Sequence, residues 1–110
     1  MIRVGTFFKA QKETFYGLSG LGDLITTCSS PQSRNWKTGF ALATGKSIEE
    51  VTAASSAVAE GVMVSKVLYH LAVAEGIDLP IISEVFRVLW EHKPVLAACS
   101  DLMNRGLKAE

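Results

Sequence analysis

Pro80-Ile81-Ile82-Ser83-Glu84-Val85-Phe86-Arg87-Val88-Leu89-Trp90 decides the fold class of this chain. Ile82, Val85, Phe86, Leu89 and Trp90 stand at i, i+3, i+4, i+7 and i+8, the spacing of one apolar face of an α-helix. Pro80 suits the first turn of that helix, where its missing N–H would go unpaired anyway. Upstream, Val64, Val67, Leu68, Leu71 and Ala72 repeat the spacing, and Gly76 stands where a helix closes in the left-handed conformation. Downstream, a third helix is expected after Pro94, with Val95, Cys99, Leu102 and Gly106 on one side. Ser47-Ile48-Glu49-Glu50 has the S-x-x-E form of a capping box, which predicts a short helix from Ile48, just after Gly45 ends the preceding one. No segment alternates with a period of two for long enough to make a strand. The fold class expected is all-α, a bundle of six or seven helices with short loops.

The composition agrees with one folded domain. In 110 residues, 48% hydrophobic and 20% charged side chains are too apolar for a disordered chain. Eleven basic against eleven acidic residues leave no net charge, which argues against non-specific binding to nucleic acid or to a membrane surface. No run approaches the ~20 apolar residues of a membrane span, and the N-terminal stretch MIRVGTFFKA is interrupted by Lys9 and carries no targeting pattern. Cys28 and Cys99 are too few for a disulfide framework. With His70 and His92 they form no metal-ligand spacing, so no metal is expected, and reduced thiols in a cytoplasmic protein are. The balanced charge hides an uneven distribution: residues 14–48 carry +2 and residues 49–110 carry −4.

Inside the basic segment lies a polar run, Thr26-Thr27-Cys28-Ser29-Ser30-Pro31-Gln32-Ser33-Arg34-Asn35, of which seven members bear a hydroxyl or a carboxamide. Pro31 is expected to open a helix capped by Ser30, with free backbone N–H groups at its end. Ser33 and Asn35 add neutral donors, and Arg34 adds a planar fork that matches two phosphate oxygens, so a phosphate or diphosphate is a natural guest. The same residues also make an ordinary solvated helix start. Gly17-Leu18-Ser19-Gly20-Leu21-Gly22-Asp23-Leu24 packs three glycines just before an acid. Its order is G-x-x-G-x-G with no strand ahead of it, which excludes a dinucleotide fingerprint. The glycines are expected to allow close approach of backbone or ligand and to let Asp23 enter a helix at a tight turn. Asp23 and Glu60 are each a candidate polar ligand or a plain first-turn acid favoured by the helix dipole. Cys28 is expected to be half-buried and inert.

The stretch Glu13 to Leu24, with Thr26-Thr27-Cys28 and Ser33-Arg34-Asn35 after it, closely resembles the substrate domain of bacterial NAD(P)-dependent glycerol-3-phosphate dehydrogenases. Val58-Ala59-Glu60-Gly61-Val62, Leu79-Pro80-Ile81 and Leu102-Met103-x-Arg105 follow in the same order and at similar spacing, so the resemblance runs over residues 1–110. It implies a helical bundle of the 6-phosphogluconate dehydrogenase C-terminal-domain-like type. It also implies a hydride transfer that interconverts glycerol 3-phosphate and dihydroxyacetone phosphate with NAD or NADP. By resemblance, Asp23, Ser33, Arg34 and Asn35 contact substrate, and Arg34, Val58 and Glu60 contact the cofactor. Trp36 and Ala59 depart from the family pattern, which commonly has a basic residue and a Val there. The Rossmann domain and general-base lysine that the family carries upstream are expected to be absent from these residues. No catalytic residue is therefore assigned within them.

Two functions follow. In the first, the chain is the substrate-binding domain of such a dehydrogenase, inactive alone and self-associating as a homo-oligomer, because loss of the cofactor domain would expose apolar surface. The alternative is a non-enzymatic helical module, derived from that domain, that serves in interaction or dimerisation.

Overall fold

A computed structural model describes residues 1–54 and 60–106. Among them are seven α-helices: α1 Ile2–Phe7, α2 Asp23–Ser29, α3 Arg34–Ala43, α4 Ile48–Ala53, α5 Glu60–Glu75, α6 Pro80–Trp90 and α7 Val95–Asn104. A 3-10 turn at Lys12–Tyr16 and a π turn at Leu18–Gly22 connect α1 to α2. The described residues contain no strand.

Local chemistry sets most helix boundaries. Ser47 Oγ accepts from the Glu50 N–H at 3.1 Å while Glu50 Oε2 accepts from the Ser47 N–H at 2.8 Å, so the capping box forms and α4 starts at Ile48. Gly45 and Gly76 take φ of +96° and +66° just past α3 and α5, the left-handed stops that other side chains resist. Pro80 is the first residue of α6. Between α2 and α3 the structure corrects the sequence reading. Ser30 closes α2 and Ser33, not Ser30, caps α3, its Oγ accepting from the Trp36 N–H at 3.3 Å. A helix opening at Pro31 would leave a single residue to redirect the chain. The four-residue turn Ser30–Ser33 does it instead, with Ser30 Oγ accepting from the Gln32 N–H at 3.2 Å. The tight turn expected before Asp23 is also replaced, by the π turn, which runs directly into α2.

α5 and α6 form the central pair. Tyr69 stacks on Phe86 at 3.9 Å and 5°, and Trp90 Nε1 donates to Ser65 Oγ at 3.4 Å. Residue numbers along these two contacts run in opposite senses, so the helices are antiparallel. Val62 of α5 and Leu89 of α6 make the core cluster, with Leu42 of α3 and Ile48 of α4 against it. Arg3 Nη1 donates to the Asp78 carbonyl at 2.8 Å and ties α1 to the turn between α5 and α6.

The buried faces match the predicted stripes only in part, with Ile82, Leu68 and Leu71 half-buried. On α6, Phe86 and Leu89 are buried as expected, but Val85 and Trp90 are exposed and Glu84 is buried. On α5, Ala72 is buried, Val64 and Val67 are exposed, and Ser65 is the most enclosed side chain. Ser65 and Glu84 can go inside because each is satisfied there. Ser65 Oγ donates to the Val62 carbonyl at 2.7 Å, and Glu84 accepts from Arg87 and, at 2.5 Å, from Lys93 Nζ. Lys93 also donates to Asp101 Oδ2 at 2.5 Å, which clasps α6 to α7. Gly106 lies beyond the end of α7, and Cys28 is exposed, not half-buried. The radius of gyration, 14.6 Å, exceeds the ~13 Å of a close-packed domain this long. Leu18, Leu96 and Met103 are more than four-fifths exposed. The bundle therefore leaves much apolar surface uncovered.

Candidate functional site

Two helix N-termini meet in this bundle. The first is that of α3, where Ser33 caps and Arg34 and Asn35 are the first two residues. The second is that of α5, which Glu60 opens. Asn35 Oδ1 accepts a hydrogen bond from the Gly61 N–H at 3.2 Å, across 26 positions of sequence. This bond ties the start of α3 to the start of α5. It joins Asn35, the second residue of α3, to the residue that follows Glu60.

The groups at this junction suit an anionic ligand. Both helices direct the positive ends of their dipoles toward it. The Arg34 guanidinium is exposed and has no ion-pair or hydrogen-bond partner among the described residues. An unpaired fork of this kind is free to bind two phosphate oxygens. Asp23 opens α2, which packs against α3, but no hydrogen bond among the described residues joins it to Ser33, Arg34 or Asn35. Val58 lies outside the described residues. Ser33 Oγ is already engaged as the α3 cap, so its hydroxyl hydrogen is the part left for a ligand.

Asn35 and Gly61 also line a cavity of about 340 Å³ with Val62, Glu84, Leu89 and Ala98. Its walls are mostly apolar, and both Glu84 oxygens are taken by Arg87 and Lys93, so it offers little to a phosphate. Among the described residues no group of three or more His, Cys, Asp or Glu is placed to hold a metal ion, and no helix is long and apolar enough to cross a membrane. Gly61 is the participant that sequence reasoning missed. It was legible within Val58-Ala59-Glu60-Gly61-Val62, but nothing local marks it as the partner of a residue 26 positions away.

The fold has a close counterpart in the crystal structure of glycerol-3-phosphate dehydrogenase from Coxiella burnetii, with a TM-score of 0.89 and 35% identity over 94% of this chain and 32% of that one. The bundle is thus of the 6-phosphogluconate dehydrogenase C-terminal-domain-like type. Residues 1–100 match the family model described as NAD-dependent glycerol-3-phosphate dehydrogenase C-terminus, and the chain belongs to that family. Among curated relatives, the glycerol-3-phosphate dehydrogenase [NAD(P)+] of Synechococcus elongatus is 49% identical over the whole chain, and that of Staphylococcus saprophyticus is 44% identical over 98% of it. The chain spans 36% and 32% of the length of these two relatives.

Proposed function

We propose that residues 1–110 are the substrate-binding domain of a dehydrogenase that interconverts sn-glycerol 3-phosphate and dihydroxyacetone phosphate with NAD or NADP. The observation that carries this reading is the meeting of the α3 and α5 N-termini through Asn35 and Gly61. It joins the proposed substrate residue Asn35 to Gly61, the residue after the proposed cofactor residue Glu60. A substrate phosphate accepts from the Arg34 fork, from the Asn35 carboxamide and from the free N–H groups of α3. Asp23 lines the glycerol moiety, where its carboxylate tunes the neighbouring general base electrostatically.

The donor set also fits a nicotinamide dinucleotide. Arg34 has no partner among the described residues and can pair with a diphosphate oxygen, and Glu60 is an exposed carboxylate able to accept from ribose hydroxyls or from the carboxamide. Val58 belongs to the same cofactor side. When bound, the nicotinamide supplies or accepts the hydride at substrate C2. The residues here bind and orient the substrate for that transfer. The general-base lysine and the glycine-rich diphosphate loop belong to a Rossmann domain outside these residues, so the segment alone is inactive. The assembly is a homo-oligomer, and the location is the cytoplasm, a reducing compartment in keeping with two free, exposed cysteines.

The test is a chimera in which residues 1–110 replace the matching segment of the Synechococcus elongatus relative. The chimera is expected to oxidise NADH or NADPH with dihydroxyacetone phosphate, and residues 1–110 alone to give no turnover. Arg34→Lys in the chimera keeps the charge but loses the fork, and is expected to raise the substrate KM by about tenfold or more. An active chimera whose substrate KM ignores Arg34→Lys refutes the assignment of Arg34, and turnover by residues 1–110 alone refutes the placement of the base elsewhere.

A further inference from the structure

We infer that Gly61 is a positioning residue for substrate binding, acting through Asn35; the inference rests on the substrate role proposed for Asn35. A carboxamide can present either its oxygen or its NH₂ to a ligand, and only the NH₂ suits a phosphate. The Gly61 N–H resolves that choice. As a backbone donor at 3.2 Å it requires the carboxamide oxygen opposite it, which leaves the Nδ2 hydrogens to donate elsewhere. No hydrogen bond among the described residues uses Nδ2.

The approach requires that position 61 have no side chain. A Cβ on Gly61 would stand 2.6 Å from Asn35 Oδ1 and 3.1 Å from its Cγ. Backbone conformation gives no other reason for glycine there, since Gly61 is helical while the left-handed glycines are Gly45 and Gly76. Helix propensity gives none either, because Ala is the better residue inside a helix. The atoms that clash are the end of a rotatable side chain. A methyl group at position 61 is therefore accommodated by turning the Asn35 carboxamide away, with the helices left in place. Gly61 thus separates two properties that core residues usually join: substitution leaves the fold stable and disorders the substrate contact.

In the active chimera, Gly61→Ala is expected to raise the KM for dihydroxyacetone phosphate roughly 10- to 100-fold, the range for one hydrogen bond to a charged group. The melting temperature is expected to stay within about 3 °C of the parent, because the helix gain of Gly→Ala offsets the loss of the Asn35–Gly61 bond, and the KM for the nicotinamide cofactor to change less than about threefold, because groups that do not act through Asn35 are left alone. Asn35→Ala is expected to cost as much, and the double variant no more than Asn35→Ala alone, since Gly61 acts only through Asn35. Additive effects, or an unchanged substrate KM in Gly61→Ala beside a raised one in Asn35→Ala, overturn the inference and leave the substrate role of Asn35 standing. A substrate KM indifferent to Asn35→Ala removes that role, and the inference with it.

Discussion

Gly20→Ala tests the packing ahead of the candidate site. Gly20 is buried, and a Cβ on it would stand 2.4 Å from the Phe15 carbonyl oxygen, 2.6 Å from Phe15 Cα and 2.7 Å from Phe15 C. All three are backbone atoms, which cannot swing aside, so the 3-10 turn must move relative to the π turn that leads into Asp23. Overpacking costs about 1–3 kcal/mol, and a backbone clash belongs near the upper end. Exchanging Gly for Ala in a helical turn returns about 1 kcal/mol. The net loss of about 2 kcal/mol corresponds to a fall of roughly 8–16 °C in Tm for a domain of this size. The neighbouring glycines are internal controls. Gly17 is extended and meets only the Thr14 carbonyl at 3.9 Å, and Gly22 meets the end of the Leu18 side chain at 3.4 Å. Gly17→Ala is expected to stay within about 0.5 kcal/mol of the parent, and Gly22→Ala, helical and unobstructed, to gain up to about 1 kcal/mol. Thermal melts of residues 1–110 followed by far-UV circular dichroism, with a helical spectrum at the start, measure all three. A Gly20→Ala melt within about 3 °C of the parent, or an equal fall in Gly17→Ala, refutes the close-approach argument.

Phe86→Ala, which removes a buried ring stacked on Tyr69, is expected to cost about 3 kcal/mol in urea unfolding; a loss under about 1 kcal/mol would show that α5 and α6 do not pair through it. The clasp at Lys93 makes stability pH-dependent in a fixed sense. Hydrogen bonds from Lys93 to Asp101 and then to Glu84 raise the lysine pKa above its ordinary 10.5, and the bond to Lys93 holds the Asp101 carboxyl below its ordinary 3.8. The lysine's contribution is therefore complete below 10.5 and lost as pH rises through the raised value, while that of Asp101 is complete above 3.8 and lost as pH falls through the lowered one. Urea midpoints measured across pH are expected to fall on both flanks, and Lys93→Met to shrink both flanks; flanks unchanged in that variant refute the clasp. The exposed Leu18, Leu96 and Met103 predict self-association of residues 1–110, seen in sedimentation as a mass that rises with concentration; a mass fixed at 11.9 kDa refutes it.

What the sequence determined by itself is whatever depends on residues within about one helical turn of each other. The Ser47–Glu50 box, the stops at Gly45 and Gly76 and the start at Pro80 all form where the sequence places them, because caps and backbone restrictions act over three or four positions. The candidate binding residues were legible too, as a cluster of donors and by resemblance to a family. Tertiary structure decided which face of each helix went inside. Glu84 and Ser65 are buried and Val67 and Val85 are not, because burial depends on which partner can satisfy or cover a group, and Lys93, Arg87 and Trp90 supply those partners. It also moved the start of α3 from Pro31 to Arg34, since only the chain reversal after α2 shows that one linking residue is too few. Above all it brought Asn35 to Gly61: a hydrogen bond across 26 residues leaves no periodicity in either helix, and exists only once α3 and α5 have packed.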